Sequence, residues 1–164
     1  METIHADTET LSDEVRIWIY QANRLLNEQE VACISRKLEK WQEEWNTHGR
    51  SLYSEAWVED QLFLILAVDE SRQPASGCSI DQSVHFIRQI GSRINVDFFD
   101  RMNFAYQDEE GQRHVTTDKE ISRLYDKGRI TDDTLFYDTT LHTKGDWKEQ
   151  NLIPLEDSWH RRFL

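Results

Sequence analysis

The stretch QLFLILAVD (61–69) restricts the fold more than any other part of the chain. Residues 62–68 form its longest apolar run, and successive side chains of a strand point to opposite faces. Both faces of this strand are therefore apolar, as expected for a central strand of a sheet. The run is also far shorter than the ~20 residues of a membrane-spanning helix, so no membrane span is expected.

The flanking segments supply partners for that strand. VRIWIY (15–20) alternates Val15, Ile17 and Ile19 against Arg16, Trp18 and Tyr20, which predicts the first strand. Asn27 to Glu30 has the capping-box form, and Val31, Ile34, Leu38, Trp41 and Trp45 follow at spacings of three and four. That pattern predicts a helix with one apolar stripe, closed by His48-Gly49. Residues 52–58 and 61–69 read as a strand pair turning at Glu59-Asp60. A second helix is expected over about 80–94, then strands over 96–107 and 112–117 joined by an acidic turn.

Strand, helix, strand, strand, helix, strand is the order of the α+β ferredoxin-like split βαβ sandwich. The right-handed crossover rule sets its first and third strands side by side, with both helices on one face. We therefore expect a disordered acidic tail over 1–13 and a ferredoxin-like core over 14–106. A C-terminal extension over 107–164 is expected to dock on that core. Within it, Thr117 to Glu120 reads as a second capping box opening a short helix, and DTLFYDTTL (133–141) as a further strand.

Charge and cysteine usage narrow the function classes. Lys and Arg number 19 against 31 Asp and Glu, a net charge of −12 that repels phosphate backbones, so no nucleic-acid partner is expected. The opening METIHADTETLSDE has no basic region, apolar stretch or cleavage site, so it does not read as a signal peptide. Cys33 and Cys78 form no CxxC pair, and no HxxxH or HxH occurs, so neither a disulfide framework nor a metal site is expected. A cytoplasmic setting follows. The six glycines have no Walker or GxGxxG spacing, which argues against P-loop nucleotide hydrolysis, and no cofactor is implied.

The candidate sites are few. In PASGCSIDQSV (74–84), Cys78 at a helix start is a candidate nucleophilic or redox thiol. Its obvious base, His85, lies seven positions on, ~10 Å along the same helix. The competing reading makes Ser79 the cap and Cys78 a small buried filler. Ser76, Gly77, Ser79 and Asp81 would shape a ligand cradle there, although Asp81 puts a negative charge where an anion would sit. Asp100 and Arg101, with Asp97, form a second ligand-binding candidate, or else a loop salt bridge. Trp18 and Tyr20 present an aromatic sheet face of the kind that stacks bases in basic RNA-binding sheets. On this acidic chain it is expected to be covered by the C-terminal segment or a second copy. Trp159 and His160, in DSWHRRF (157–163), form either a partner-docking tail or an anchored terminus.

WIYQANR, VDESRQPASGCSIDQSVHFI, VDFFDR and SWHRRFL, in this order, resemble an uncharacterised family of small bacterial cytoplasmic proteins sometimes labelled ABC transporter ATPases. The resemblance covers nearly all of the chain from Val15 onward and implies no reaction or catalytic residues. The label itself finds no support in a chain without a Walker loop. A non-catalytic module that binds a protein, itself or a small ligand is the leading expectation, as a homodimer or with a protein partner. A thiol enzyme or redox sensor using Cys78 is the alternative.

Overall fold

A computed structural model describes residues 10–164. Among these residues the fold is mixed α+β, with four helices and antiparallel sheets. Its centre is β5 (Phe63–Val68), whose six residues are all buried. β1 (Arg16–Gln21) and β4 (Ser54–Glu59) pair antiparallel to its two sides, giving the order β1-β5-β4. Leu64, Leu66 and Val68 pack toward α1 (Glu28–Glu44) and α2 (Gly77–Ile94), where they join Leu38, Trp45 and Ile87. Phe63, Ile65 and Ala67 point the other way, into a second core with Val15, Ile17 and Trp147.

A second sheet closes that core. It has the order β7-β6-β8-β9, from β6 (Asn103–Gln107), β7 (Arg113–Thr117), β8 (Leu135–Tyr137) and β9 (Leu152–Pro154). Ala105 and Tyr137 face the first sheet. Phe104, Tyr106 and Phe136 face outward onto a third core, built with α3 (Ile121–Asp126) and the terminal turn Trp159–Phe163. β2 (Asn46–Thr47) and β3 (Arg50–Ser51) form a small hairpin, and α4 (Lys144–Gln150) contributes the buried Trp147.

The first three strands follow the expected order, but the fourth does not. β6 pairs with β7 and β8, so among the described residues the sheet containing β1 has three strands. The cause lies in residues 96–102, which are a loop. Asn95 ends α2 in the left-handed conformation, and the carboxylates of Asp97 and Asp100 accept the amides of Phe99 and Met102 at 2.8 and 2.9 Å. Such local bonds divert backbone donors from a ladder. The edge of β1 is met instead by residues 142–144, where Ile17 N donates to His142 O at 2.8 Å and Lys144 N to Val15 O at 3.0 Å.

Helix ends also depart from expectation. Asn27 and Glu30 form the capping box, but α1 ends at Glu44, and His48 and Gly49, both with positive φ, make the β2–β3 turn. α2 starts at Gly77 with Ser76 as its cap, three residues before the expected position. The box read at Thr117 to Glu120 makes no side-chain cap bond to α3. Of the tail expected over 1–13, residues 1–9 lie outside those described. Leu11 N donates to Glu55 at 2.6 Å, and Asp13 pairs with Lys148 at 3.1 Å.

Gly91 allows the chain to leave α2 closely packed. A Cβ there would lie 2.4 Å from the Val96 carbonyl oxygen. Gly91→Ala is expected to destabilise the protein by about 1–3 kcal/mol in urea unfolding, because backbone must move. Gly77→Ala meets open space and should change stability by less than about 1 kcal/mol.

Candidate functional site

The structure does not gather the expected site residues into one place. Ser76 and Ser79 cap each other: Ser79 N donates to Ser76 Oγ at 3.1 Å, and Ser76 N to Ser79 Oγ at 2.7 Å. Thr47 Oγ1 donates to Ser76 Oγ at 2.5 Å, and Trp45 Nε1 to the Ser79 carbonyl at 2.8 Å. These side chains hold the helix start against the β2–β3 hairpin, so they are not arranged around a bound anion. Cys78 is exposed rather than a buried filler, as are Gly77 and Asp81. Among the described residues the Cys78 thiol has no hydrogen-bond partner, and His85 instead meets Gln89 at 3.2 Å.

Asp100 and Arg101 are exposed and lie beyond the far end of α2, a helix of 18 residues. That places them ~27 Å of helix from Ser76. Trp18 and Tyr20 face the helix layer, packed against the core shared with α2 and the 96–102 loop rather than against the C-terminal segment. Tyr20 meets Phe99 edge-on at 5.5 Å, and Arg16 lies over Trp18 at 4.6 Å. Burial raises the Tyr20 pKa, opposed by its Ser83 hydrogen bond and the Arg101 charge.

Trp159 and His160 are packed on the second sheet, with ring centroids 5.4 and 4.7 Å from Phe104. His160 is 2% exposed, and burial pushes its pKa down to about 4. It is an anchor of the third core. Among the described residues no group of three His, Cys, Asp or Glu side chains could hold a metal ion.

A different feature has the geometry of a binding site. Among the described residues β7 is the outer strand of the second sheet, and a groove of about 530 Å³ runs beside it. Asn23, Arg24 and Leu25, after β1, line it together with Glu120 and Leu124 from the start of α3. In an antiparallel ladder every second pair is hydrogen-bonded. Asp108 N donates to Gln112 O, and Asp118 N to Met102 O, at 2.9 and 3.2 Å. In this register the bonded pairs include Tyr106–His114 and Phe104–Thr116. The backbone groups of Arg113, Val115 and Thr117 therefore point away from β6, toward the free side of β7. The Thr117 carbonyl accepts from Glu120 N at 3.1 Å; the Arg113 and Val115 groups form a strand-pairing template.

Among the described residues, two buried polar atoms in this lining lack a partner, Thr116 Oγ1 and Arg113 Nε, and Thr116 is 6% exposed. Such orphans are uncommon and require an explanation. The Arg113 fork is fixed by Gln61 at 3.2 Å and Asp60 at 3.6 Å. His114 is held by Asp108 at 2.8 Å and stacks on Tyr106 at 5.1 Å. Arg24 makes a two-pronged pair with Glu30 at 2.9 and 2.8 Å. Arg24, Arg113 and His114 line the groove, each already paired with a carboxylate, Glu30, Asp60 or Asp108.

RHVTT (113–117) was legible as a strand, but its lying at an edge was not, because that depends on what fails to pair with it. Compared with known families, curated proteins and solved structures, the chain matches none. No helix among the described residues is long and apolar enough to cross a membrane.

His160 provides a pH test of the third core that backs the groove. Its folded pKa of about 4 lies below the ordinary 6.5, so the folded protein binds fewer protons than the unfolded chain. Its contribution should fall as pH drops from 6.5 toward 4 and level off below, a loss of about 3 kcal/mol. His160→Phe should flatten that slope in urea titrations at successive pH values; an unchanged slope would contradict burial of a neutral imidazole.

Proposed function

We propose that the protein is a non-catalytic, cytoplasmic binding module that takes an extended segment of a partner protein along the free edge of β7. The observation that carries this reading is the edge itself: outward amides and carbonyls of Arg113 and Val115 beside a groove with two partnerless polar atoms. Main-chain pairing with a sheet edge supplies affinity, and flanking side chains select the sequence. Arg24, Arg113 and His114 are each already paired with a carboxylate, so recognition rests on the main chain and on apolar contact. Leu25, 41% exposed, and Leu124 offer apolar contact to alternate positions of the added strand.

The chain from β1 to α2 corresponds to a split βαβ unit lacking its fourth strand, and WIYQANR, VDFFDR and SWHRRFL mark a resemblance to the small bacterial family. Neither reading brings a reaction with it. Thiol chemistry at Cys78 remains the alternative, without a neighbouring base to favour it.

The test exploits the direction of one amide. Val115 N–H points away from the ladder, so proline there removes a template donor without removing a bond to β6. Linear peptides with apolar residues at alternate positions should be selected from a random displayed library. They should bind Val115→Pro about tenfold or more weakly, while Val115→Ala, which keeps the amide, retains most of the affinity. Failure to select any peptide, or equal binding by Val115→Pro, contradicts strand addition. Pairing of two copies through β7 would instead appear as a dimer that Val115→Pro dissociates.

A further inference from the structure

The outer face of the helix layer carries a second recess, independent of β7. α1 and α2 run antiparallel: Trp45 Nε1 at the end of α1 bonds Ser79 O at the start of α2, and Arg24 before α1 bonds Ile94 O at the end of α2, both at 2.8 Å. Between the helices lies a groove of about 280 Å³. Trp41 and Phe86 stack within it at 4.8 Å with their planes 8° apart, and Ile90 adds apolar floor. Lys37 and Lys40 from α1 and Arg93 from α2 line its sides.

None of these three cations is ion-paired among the described residues. Glu44 is the one acid in the lining. In a chain of net charge −12, three bases to one acid is a local inversion of sign. Unpaired cations around an aromatic floor gain most from an occupant with apolar side chains in its centre and carboxylates at its flanks.

The shape selects among such occupants. Lys37, Lys40, Trp41 and Glu44 follow helical spacing on α1, and Phe86, Gln89, Ile90 and Arg93 do the same on α2. Two parallel ridges of this kind accept a third helix between them. The span from Lys37 to Glu44 is ~10 Å, two turns of a bound helix. A phosphate backbone or an anionic bilayer would bring many charges against a protein whose remaining surface is acidic.

We propose that the α1–α2 groove docks an acidic amphipathic helix of a partner protein, with its apolar face on Trp41 and Phe86 and its carboxylates on Lys37, Lys40 and Arg93. The probe is a labelled synthetic helix with leucine and phenylalanine on one face and glutamates beside them. Two controls accompany it, a glutamine-for-glutamate version and a shuffled sequence of equal composition. The full chain should bind the acidic helix in anisotropy titrations and release it as salt is raised. The combined variant Lys37→Glu, Lys40→Glu, Arg93→Glu should weaken binding on the order of tenfold and gain affinity for a lysine version of the same helix. Circular dichroism should confirm that the variant is folded. Val115→Pro should leave this binding unchanged, which separates it from the β7 edge. The proposal is overturned if the acidic helix does not bind, if the shuffled peptide binds equally, or if charge reversal has no effect. Preferential capture of phosphatidylserine-containing vesicles or of duplex DNA would overturn it too.

Discussion

The burial of β5 on both faces is the constraint on which the rest of the structure depends. Phe63 to Val68 are each fully buried, and a side chain of this size contributes about 1.5–3 kcal/mol when taken out of water. One layer cannot cover both faces. The even positions require the two helices, and the odd positions require a second sheet; the 103–154 segment supplies it instead of extending the first. The apolar alternation of β5 thereby dictates a layered fold rather than a single open sheet.

The same strand ties the layers to the groove beside β7. At its start Asp60 and Gln61 both adopt positive φ, forming a tight turn that projects their side chains toward the second sheet. Asp60 accepts from the Tyr137 hydroxyl at 2.7 Å, and burial together with that carboxylate pushes the phenol pKa up to about 12. Gln107 donates to the same hydroxyl at 2.8 Å, and Arg113 is held by Gln61 and Asp60. Non-glycine residues in this conformation carry strain, offset here by a network that fixes the position of β7 relative to the first sheet.

Sequence reasoning was most reliable where local pattern and burial agree. Val15 to Tyr20, the Asn27–Glu30 cap and the double-sided β5 were legible because each carries its own periodicity or cap. It failed where a residue type serves two purposes. Asp97 and Asp100 look like ligands or loop salt-bridge partners, but they bond their own backbone and turn the start of the expected 96–107 strand into a loop. Gly49 suits a helix end and a hairpin turn equally. Trp159 and His160 resemble a docking tail until Phe104 and Phe136 are seen to need cover. Neither groove was visible in the sequence, because an edge strand and a helix–helix recess are defined by tertiary neighbours. Lys37, Lys40, Trp41 and Glu44 did share one helix face, but nothing local brought Phe86 and Arg93 beside them.

Both recesses set basic side chains around apolar or main-chain surface on an acidic chain, and both lie on elements fixed by the β5 core. The central claim is that β7 offers an unpaired edge, and amide hydrogen exchange along residues 113–117 tests it most directly. In the free protein the amides of His114 and Thr116 should be protected, and those of Arg113 and Val115 should exchange rapidly, an alternation set by the ladder. Addition of a selected peptide should slow Arg113 and Val115 alone. Uniform protection along β7 before any peptide is added, or unchanged exchange afterwards, would contradict the account.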